Sequence, residues 1–363
     1  MFSPALGAER YVVIKSAFFS GCLWGCPYIE VGLVRETVFL TCAGVLTWLG
    51  EALCFEDSVS RRLIPGDEPG EILIYGEVSF DKTLLDFCTE KRIILHFFDY
   101  YGYYSGSYYP RLHQNSAHLL LKQAEYHTDG GKRLDVARRL TRGAVGNILH
   151  VLQYHTELGD AVEAQMLEVE KLNALIGSAG TLEQLREHLE KAREAYYSGL
   201  DVMLGLPDFR FLRRSRQPPD DPLNALISFG NSLLYAQLLS AIFQTRLDPR
   251  IAFLHGMENE RFNLHLDLAE VFKPILVGRT IFILLKEGKQ LTKADFHKAN
   301  AGITLTERGK QAFIAEWETR LTKTVRHKVA GKEVTYRQLL EMELAKLAEH
   351  LTGTTEYVAY KHK

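Results

Sequence analysis

His255, Asp267 and Glu270 fall in one short stretch, Leu254 to Pro274, and their types and spacing could bind a divalent cation. Asp267 and Glu270 are three residues apart, so on a helix they share a face. Leu264, Leu266, Leu268, Val271 and Phe272 surround them with apolar side chains, so at least one carboxylate must point into a packed environment. Burying a carboxylate is costly unless it is paired or holds a metal. A histidine with oxygen ligands suits magnesium or manganese, hard ions that keep open positions for phosphate oxygens. The plainer alternative is a capping aspartate, a surface glutamate and an ordinary loop histidine. A third ligand would have to come from another helix, and Glu190 is the candidate, with Glu187 one turn earlier on the same face. Taken alone, that segment also reads as a solvated charged face.

Two basic clusters could hold phosphate backbones: Lys132, Arg133, Arg138, Arg139 and Arg142, and then Arg210, Arg213, Arg214 and Arg216. Such groups position a nucleic acid without reading its sequence. Each cluster also reads as a solvated helix face, but the second sits directly before a marked helix start. The aromatic run from Phe97 to Tyr109 could stack unpaired bases, or could join a β domain to its neighbours.

Elements of two textures must position these residues. From about Arg35 to Arg111 the apolar residues come in short β-branched and aromatic runs, such as Glu36 to Thr41, Ala52 to Phe55, Glu71 to Tyr75 and Arg92 to Phe98. Turn clusters at Asp57 to Ser60 and Pro65 to Gly70 separate them, and Leu84, Leu85 and Phe87 suit one short helix between Asp81 and Glu90. After Pro110 the period becomes helical: His113 to Gln123, Arg133 to Leu158, Ala161 to Leu175, Leu182 to Leu204, Pro222 to Gln244, Leu264 to Glu287, Lys310 to Lys323 and Tyr336 to Leu351. Asp220-Asp221-Pro222 marks the clearest start, a capping aspartate before a proline at the first helical position. Gln290 to Leu305 is weakly periodic and reads as a loop with one short helix. The fold class is therefore α+β: a small N-terminal β-rich domain over 35–111, then a larger all-α catalytic domain over 112–363, with 1–34 left as an unassigned extension.

The 363 residues suffice for two domains, and 46% hydrophobic with 24% charged residues excludes disorder, collagen and a coiled-coil rod. A formal charge of −2 leaves any nucleic-acid role to local patches. Cys22, Cys26, Cys42, Cys54 and Cys88 are an odd set without zinc-ribbon spacing, which reads as a reducing, cytoplasmic compartment. The uncharged stretches Ser16 to Ile29 and Val38 to Gly50 are too short for a membrane-spanning helix of about 20 residues. The first of them resembles a signal peptide only faintly, since it holds Pro27 and lacks a small-residue cleavage site.

Several stretches together resemble one family. Ile72 to Ser79, His96 to Tyr104, Arg216 to Gly230, Asp267 to Pro274, Leu305 to Phe313 and Val334 to Leu340 occur in the order found in the CRISPR-associated integrase and endonuclease subunit, the Cas-one family. The pattern is most similar to the type I-B branch and runs from about Arg35 to the C-terminus. The resemblance implies a metal-dependent DNA endonuclease and integrase, a homodimer formed through its β domains. It would work with a dimer of the Cas-two protein on double-stranded DNA, both the short fragment and the CRISPR array. Whether a Cas-four protein takes part stays open. By position, His255 takes the family's histidine ligand and Glu270 its acidic ligand, while Asp267 takes a nearby acidic place with a supporting or metal-binding role. Glu190 would complete the set around Mg²⁺ or Mn²⁺. Here the sequence departs from the pattern: no glycine follows Glu190, and counting back from Tyr196-Tyr197 lands on Leu189, about 100° round a helix. Arg213, Arg214, Arg216 and Lys273 are expected to position phosphates. Two rivals remain: a DNA-binding scaffold of the same fold whose site has decayed at Leu189/Glu190, and an unrelated helical metal-dependent phosphoesterase.

Overall fold

The computed structural model describes residues 11–13, 36–65, 69–99, 101–110, 117–216, 218–256, 262–299, 302–327 and 331–362. A strand-rich N-terminal region is followed by a helical domain. In chain order the first region comprises β1 (Tyr11–Val13), β2 (Glu36–Leu40), β3 (Gly44–Leu49), β4 (Ala52–Glu56), β5 (Arg61–Pro65), β6 (Pro69–Ile74), β7 (Val78–Ser79), α1 (Lys82–Lys91), β8 (Ile94–Phe98) and β9 (Tyr104–Tyr108). The strands make two sheets, ordered β1-β2-β6-β8-β9 and β5-β4-β3-β7. Three residues of the stretch left unassigned by the sequence thus join the larger sheet, with Tyr11 opposite Leu40. The rest of that stretch, with Cys22 and Cys26, lies outside the described residues.

Strands β2, β6 and β8 run parallel and are apolar on both faces, as a sheet covered on both sides requires. Along β2, Val38 and Leu40 pack with Leu46, Leu53, Phe55 and Leu84 inside the β domain, whereas Phe39 joins the core of the helical domain. Alternation therefore makes one sheet the shared wall of two cores. The aromatic run closes this junction: Tyr75 stacks on Phe98 at 4.2 Å and Tyr109 on Phe243 at 4.1 Å. Tyr75 and Tyr109 meet Phe229 and Phe243 of the helical domain, so these rings join the two regions.

The second region comprises α2 (Ala117–Thr128), α3 (Gly130–Glu157), α4 (Glu163–Leu175), α5 (Leu182–Leu204), α6 (Pro222–Phe243), α7 (Leu264–Phe272), α8 (Arg279–Phe282), β10 (Phe296–Ala299), β11 (Gly302–Leu305), α9 (Glu307–Thr322), β12 (Thr324–His327), β13 (Lys332–Thr335) and α10 (Tyr336–Leu351). Asp221 caps α6 by accepting from Asn224 N–H at 2.7 Å, with Pro222 at the first position. Helix α6 is long and apolar enough to cross a bilayer, but most of it is buried by its neighbours, as befits a core helix.

Three expectations need correction. The helical domain is not all-α, because β10–β11 and β12–β13 form two antiparallel hairpins. The segment Gln290 to Leu305 holds a 3₁₀ turn at Lys293–Asp295 and the first of these hairpins, so the loop assignment was wrong for its second half. Leu264 to Glu287 is not one regular α-helix either. Pro274 has no N–H to donate and crowds the carbonyl one turn back. The chain there widens into π turns over Pro274–Gly278 and again over Ile283–Glu287, with Gly278 N–H donating to Lys273 O at 3.0 Å. The start foreseen at His113 falls outside the described residues.

Candidate active site

The site is built on the segment that leads into α7. Gln123 donates to the carbonyls of Asp248 and Ile251, at 2.9 and 2.8 Å, and accepts from Asp248 N–H. Arg133 donates to Phe253 O and His255 O, and Arg186 to Leu254 O, at 2.8–3.2 Å. The amides of the same residues all turn to one carboxylate. Asp267 Oδ2 accepts from Phe253 N–H (2.6 Å) and Leu254 N–H (2.9 Å), and Oδ1 from His255 N–H (2.9 Å). His255 Nδ1–H also donates to Oδ1, at 2.6 Å.

Asp267 is fully buried and its two oxygens take four hydrogen bonds. Three of these bonds come from backbone amides and one from the His255 ring, which fits the supporting one of its two expected roles. Its effect on chemistry passes through His255. A carboxylate on Nδ1 fixes the tautomer and leaves Nε2 as the nitrogen able to bind a metal or a proton, the arrangement that commonly supports histidine ligands.

Glu270, one turn further along α7, is 3% exposed. Its Oε1 accepts from Lys273 Nζ at 2.6 Å and from Arg193 Nη1 at 2.8 Å. Burial would push its carboxyl upward, but Lys273, Arg193 and the nearby His255 outweigh that and hold it at about 2. The acid is therefore ionised at any working pH. Lys273 is itself buried, and although burial opposes its charge, Glu270 keeps it raised. Lys273 thus serves as the counter-ion of Glu270 and packs over the Tyr235 ring at 5.3 Å. The expectation that it positions phosphates is corrected accordingly, since its ammonium faces inward.

Arg193, on α5, joins the two carboxylates. One of its terminal nitrogens holds Glu270 and the other holds Glu190 Oε2. Glu190 Oε1 lies 3.6 Å from Arg216, and its side chain is 44% exposed. Helix α5 runs without irregularity, Leu189 is buried in the core, and Glu190 faces Glu270 across Arg193. Neither a distortion nor a lost ligand is needed to bring Glu190 here. Arg193 was not singled out from the sequence, although its place three residues after Glu190 put it on the same helix face.

Among the described residues, no three histidine, cysteine or acidic groups already surround one common cation position. Guanidinium and ammonium groups occupy the space between the carboxylates instead. The donors still fit a hard divalent ion: an ionised buried carboxylate, a half-exposed one and an oriented imidazole. Accepting such an ion requires Arg193 to release Glu190, the one exposed partner.

Of the other basic residues, Arg213 and Arg216 are exposed, with side chains 83% and 63% accessible. Arg214 is pinned at the start of α6 by Asn224 Oδ1 (2.7 Å) and Ser228 Oγ (2.9 Å), and burial lowers its pKa. Its guanidinium braces the loop, which corrects its assignment as a phosphate contact. Arg133, read as part of a surface cluster, instead holds the His255 segment.

The pattern of the family described as CRISPR associated protein Cas1 matches residues 38–319. A relative from Thermodesulfovibrio yellowstonii, CRISPR-associated endonuclease Cas1 2, is 42% identical over 325 residues, covering 89% of this chain and 98% of the relative. The solved structure of a Cas1 protein from Thermotoga maritima superposes with a TM-score of 0.78 at 36% identity, covering 90% of this chain and all of that one. A casposase bound to integration product shares the fold, with a TM-score of 0.79 at 18% identity over 90% of this chain and 94% of that one. The matched span takes in both regions of the fold and every residue of the carboxylate–histidine cluster, and on that extent and identity this chain belongs to the Cas1 family.

Proposed function

We propose that the protein is a metal-dependent DNA endonuclease and integrase that inserts short DNA fragments into a CRISPR array. The observation that carries this reading is the meeting of Glu190 and Glu270 on Arg193, beside a histidine whose Nδ1 is fixed by a buried aspartate. Glu190, His255 and Glu270 would hold Mg²⁺ or Mn²⁺. When bound, that cation would polarise a phosphoryl oxygen and stabilise charge on the attacking and leaving oxygens. The reaction is a transesterification in which the 3′ hydroxyl of the fragment forms a bond to a phosphorus of the array strand and a 3′ hydroxyl leaves. The protein supplies no nucleophile. Asp267 holds His255 in place, Glu270 stays ionised, and Arg213 and Arg216 are exposed where they can neutralise backbone phosphates.

As partners we propose double-stranded DNA, a Cas-two dimer and a second copy of this chain. The β domain supports the last, because Val45, Trp48, Leu49, Val59 and Leu63 expose apolar side chains on and around its smaller sheet. Among the described residues Cys54 and Cys88 are free thiols, which fits a cytoplasmic setting.

The test is joining of a labelled short duplex to a supercoiled plasmid carrying a CRISPR array, with purified Cas-two and Mg²⁺ or Mn²⁺. Metal-dependent joining that is lost with chelator and in His255→Ala supports the proposal. DNA binding with no joining in either metal would instead favour the scaffold reading, in which Arg193 keeps Glu190 permanently.

A further inference from the structure

A cavity of about 380 Å³ lies between α3, α5, the π turns flanking Arg279, the end of α9, the start of α10 and the C-terminal segment at His362. It shares no residue with the cluster around Glu270. Its volume is that of a small-molecule site.

Its lining contains Arg279, Arg320 and Lys323 but no aspartate or glutamate. Arg320 is 7% exposed and donates only to neutral oxygens, Ile275 O at 3.0 and 3.2 Å and Tyr336 Oη at 2.8 Å. Neither Arg320 nor Lys323 has an ion pair among the described residues, whereas Arg279 pairs with Glu287 at 2.9 Å. Burial and the like charge of Arg279 both work against the Arg320 cation. Glu316 is a carboxylate acting on all three, but it stands outside the lining and is itself pushed up by burial. A buried guanidinium without an anion is costly, so the cavity is arranged to receive one.

The remaining walls mix aromatic rings with aliphatic side chains such as Val151, Leu200 and Met203. Tyr336 lies under the Arg320 guanidinium at 4.3 Å, and Tyr196 and Phe282 face the cavity from α5 and α8. His150 and His362 meet edge to face at 5.1 Å, and burial keeps both neutral, His362 down at about 4. Cations and rings lining one cavity suit a ligand with a phosphate and a heteroaromatic base. The helix on which the cavity rests is π-helical on either side of Arg279, a departure that recurs at functional sites.

We propose that this cavity binds a small phosphorylated aromatic ligand of the nucleoside monophosphate class, with its phosphate on Arg279, Arg320 and Lys323 and its base among Tyr196, Tyr336 and His362. Two sources present that chemistry: a free mononucleotide, and the 5′-phosphorylated end of a nucleic-acid strand.

Calorimetric titration of the full-length protein with AMP tests the proposal, beside adenosine, inorganic phosphate and a 5′-phosphorylated dinucleotide. Saturable AMP binding is expected, weaker by about tenfold or more for adenosine and for phosphate alone, since each lacks half of the recognised groups. Lys323→Glu and Arg279→Ala alter accessible side chains and leave the core intact, so both should fold, as circular dichroism will check. Each should weaken AMP by about tenfold or more. Arg320→Lys, which keeps the charge but loses the fork, is the buried counterpart. Tighter binding of the dinucleotide, lost in the same variants, makes the strand end the source, while AMP binding alone makes it the free nucleotide. No saturable AMP heat at low millimolar concentration, or equal AMP affinity in wild type and the two surface variants, overturns the proposal.

Discussion

Replacing Asp267 by asparagine, usually a mild change, should be strongly destabilising. Both carboxylate oxygens face donors: Oδ2 takes the amides of Phe253 and Leu254, and Oδ1 takes the amide and the ring N–H of His255. An asparagine keeps one acceptor oxygen and must turn its NH₂ toward two N–H groups, whichever way it flips. Phe253 and Leu254 are buried, so amides that lose their acceptor have no water to turn to. An unsatisfied buried donor costs about 1–3 kcal/mol, so two cost about 4 kcal/mol in the middle of the range. At about 2–4 °C per kcal/mol for a domain of this size, the melting temperature should fall by roughly 8–16 °C in Asp267→Asn, and further in Asp267→Ala, which takes the acceptor from all four donors. Differential scanning calorimetry measures the shift, and hydrogen exchange at residues 253–255 locates it. An asparagine variant that melts within about 2 °C of wild type, with those amides still protected, would refute the claim that this carboxylate organises the His255 segment.

Glu270 sets a pH dependence. Its carboxyl is held at about 2 in the folded protein against an ordinary 4.5, so its contribution to stability is fully present above pH 4.5 and is lost as the pH falls from there toward 2. That contribution is about 3 kcal/mol. Urea unfolding across this window should show a steeper loss in wild type than in Glu270→Gln, and parallel curves would contradict it. Arg213→Ala and Arg216→Ala should each weaken DNA binding across sequences and reduce the salt slope of log K by about 1, which titrations at several salt concentrations will show. Gly278→Ala places a Cβ against the Tyr196 hydroxyl, and overpacking of about 1–3 kcal/mol should lower the melting temperature measurably.

How much was legible in the sequence depended on how local the signal was. Helix α5 begins after Thr181, which caps Gln184, and ends at Gly205 in the left-handed region, and α10 begins with a Thr335/Gln338 capping box. Such signals sit within a turn of the boundary they mark, and the apolar period placed both helices at the same bounds. His255 and Glu270 are candidates because the family pattern is also a matter of local spacing, whereas for Glu190 that spacing lands one residue away, on Leu189. Spacing did not show what Asp267 binds, because its partners are amides 12–14 residues upstream that only the folded chain returns to it. For the same reason the sequence did not show that Arg214 is held by Asn224 and Ser228, 10 and 14 residues on, whereas Lys273 sits one turn from Glu270 and what spacing left out was that the pair is buried. The hairpins at 296–305 and 324–335 are four residues per strand, too short for alternation to stand out from a loop.

The division of charge at the site then bears on how it would work. Glu190 and Glu270 are balanced by Arg193 and Lys273, so the cluster is neutral before His255 is counted. The two carboxylates are not equivalent, because Glu270 is buried under both cations while Glu190 reaches solvent and touches Arg193 and Arg216 from outside. Removing a buried partner costs several kcal/mol, whereas rearranging an exposed pair costs about 1 or less. Under the proposed reading, Glu190 is therefore the ligand that changes partners and Glu270 the fixed one. Arg193→Lys, which can hold Glu270 but cannot fork to Glu190, should then tighten Mn²⁺ binding measured calorimetrically on the isolated protein. Unchanged or weaker Mn²⁺ affinity, in a variant that still folds, would mean that Arg193 positions Glu190 for the metal and does not compete with it.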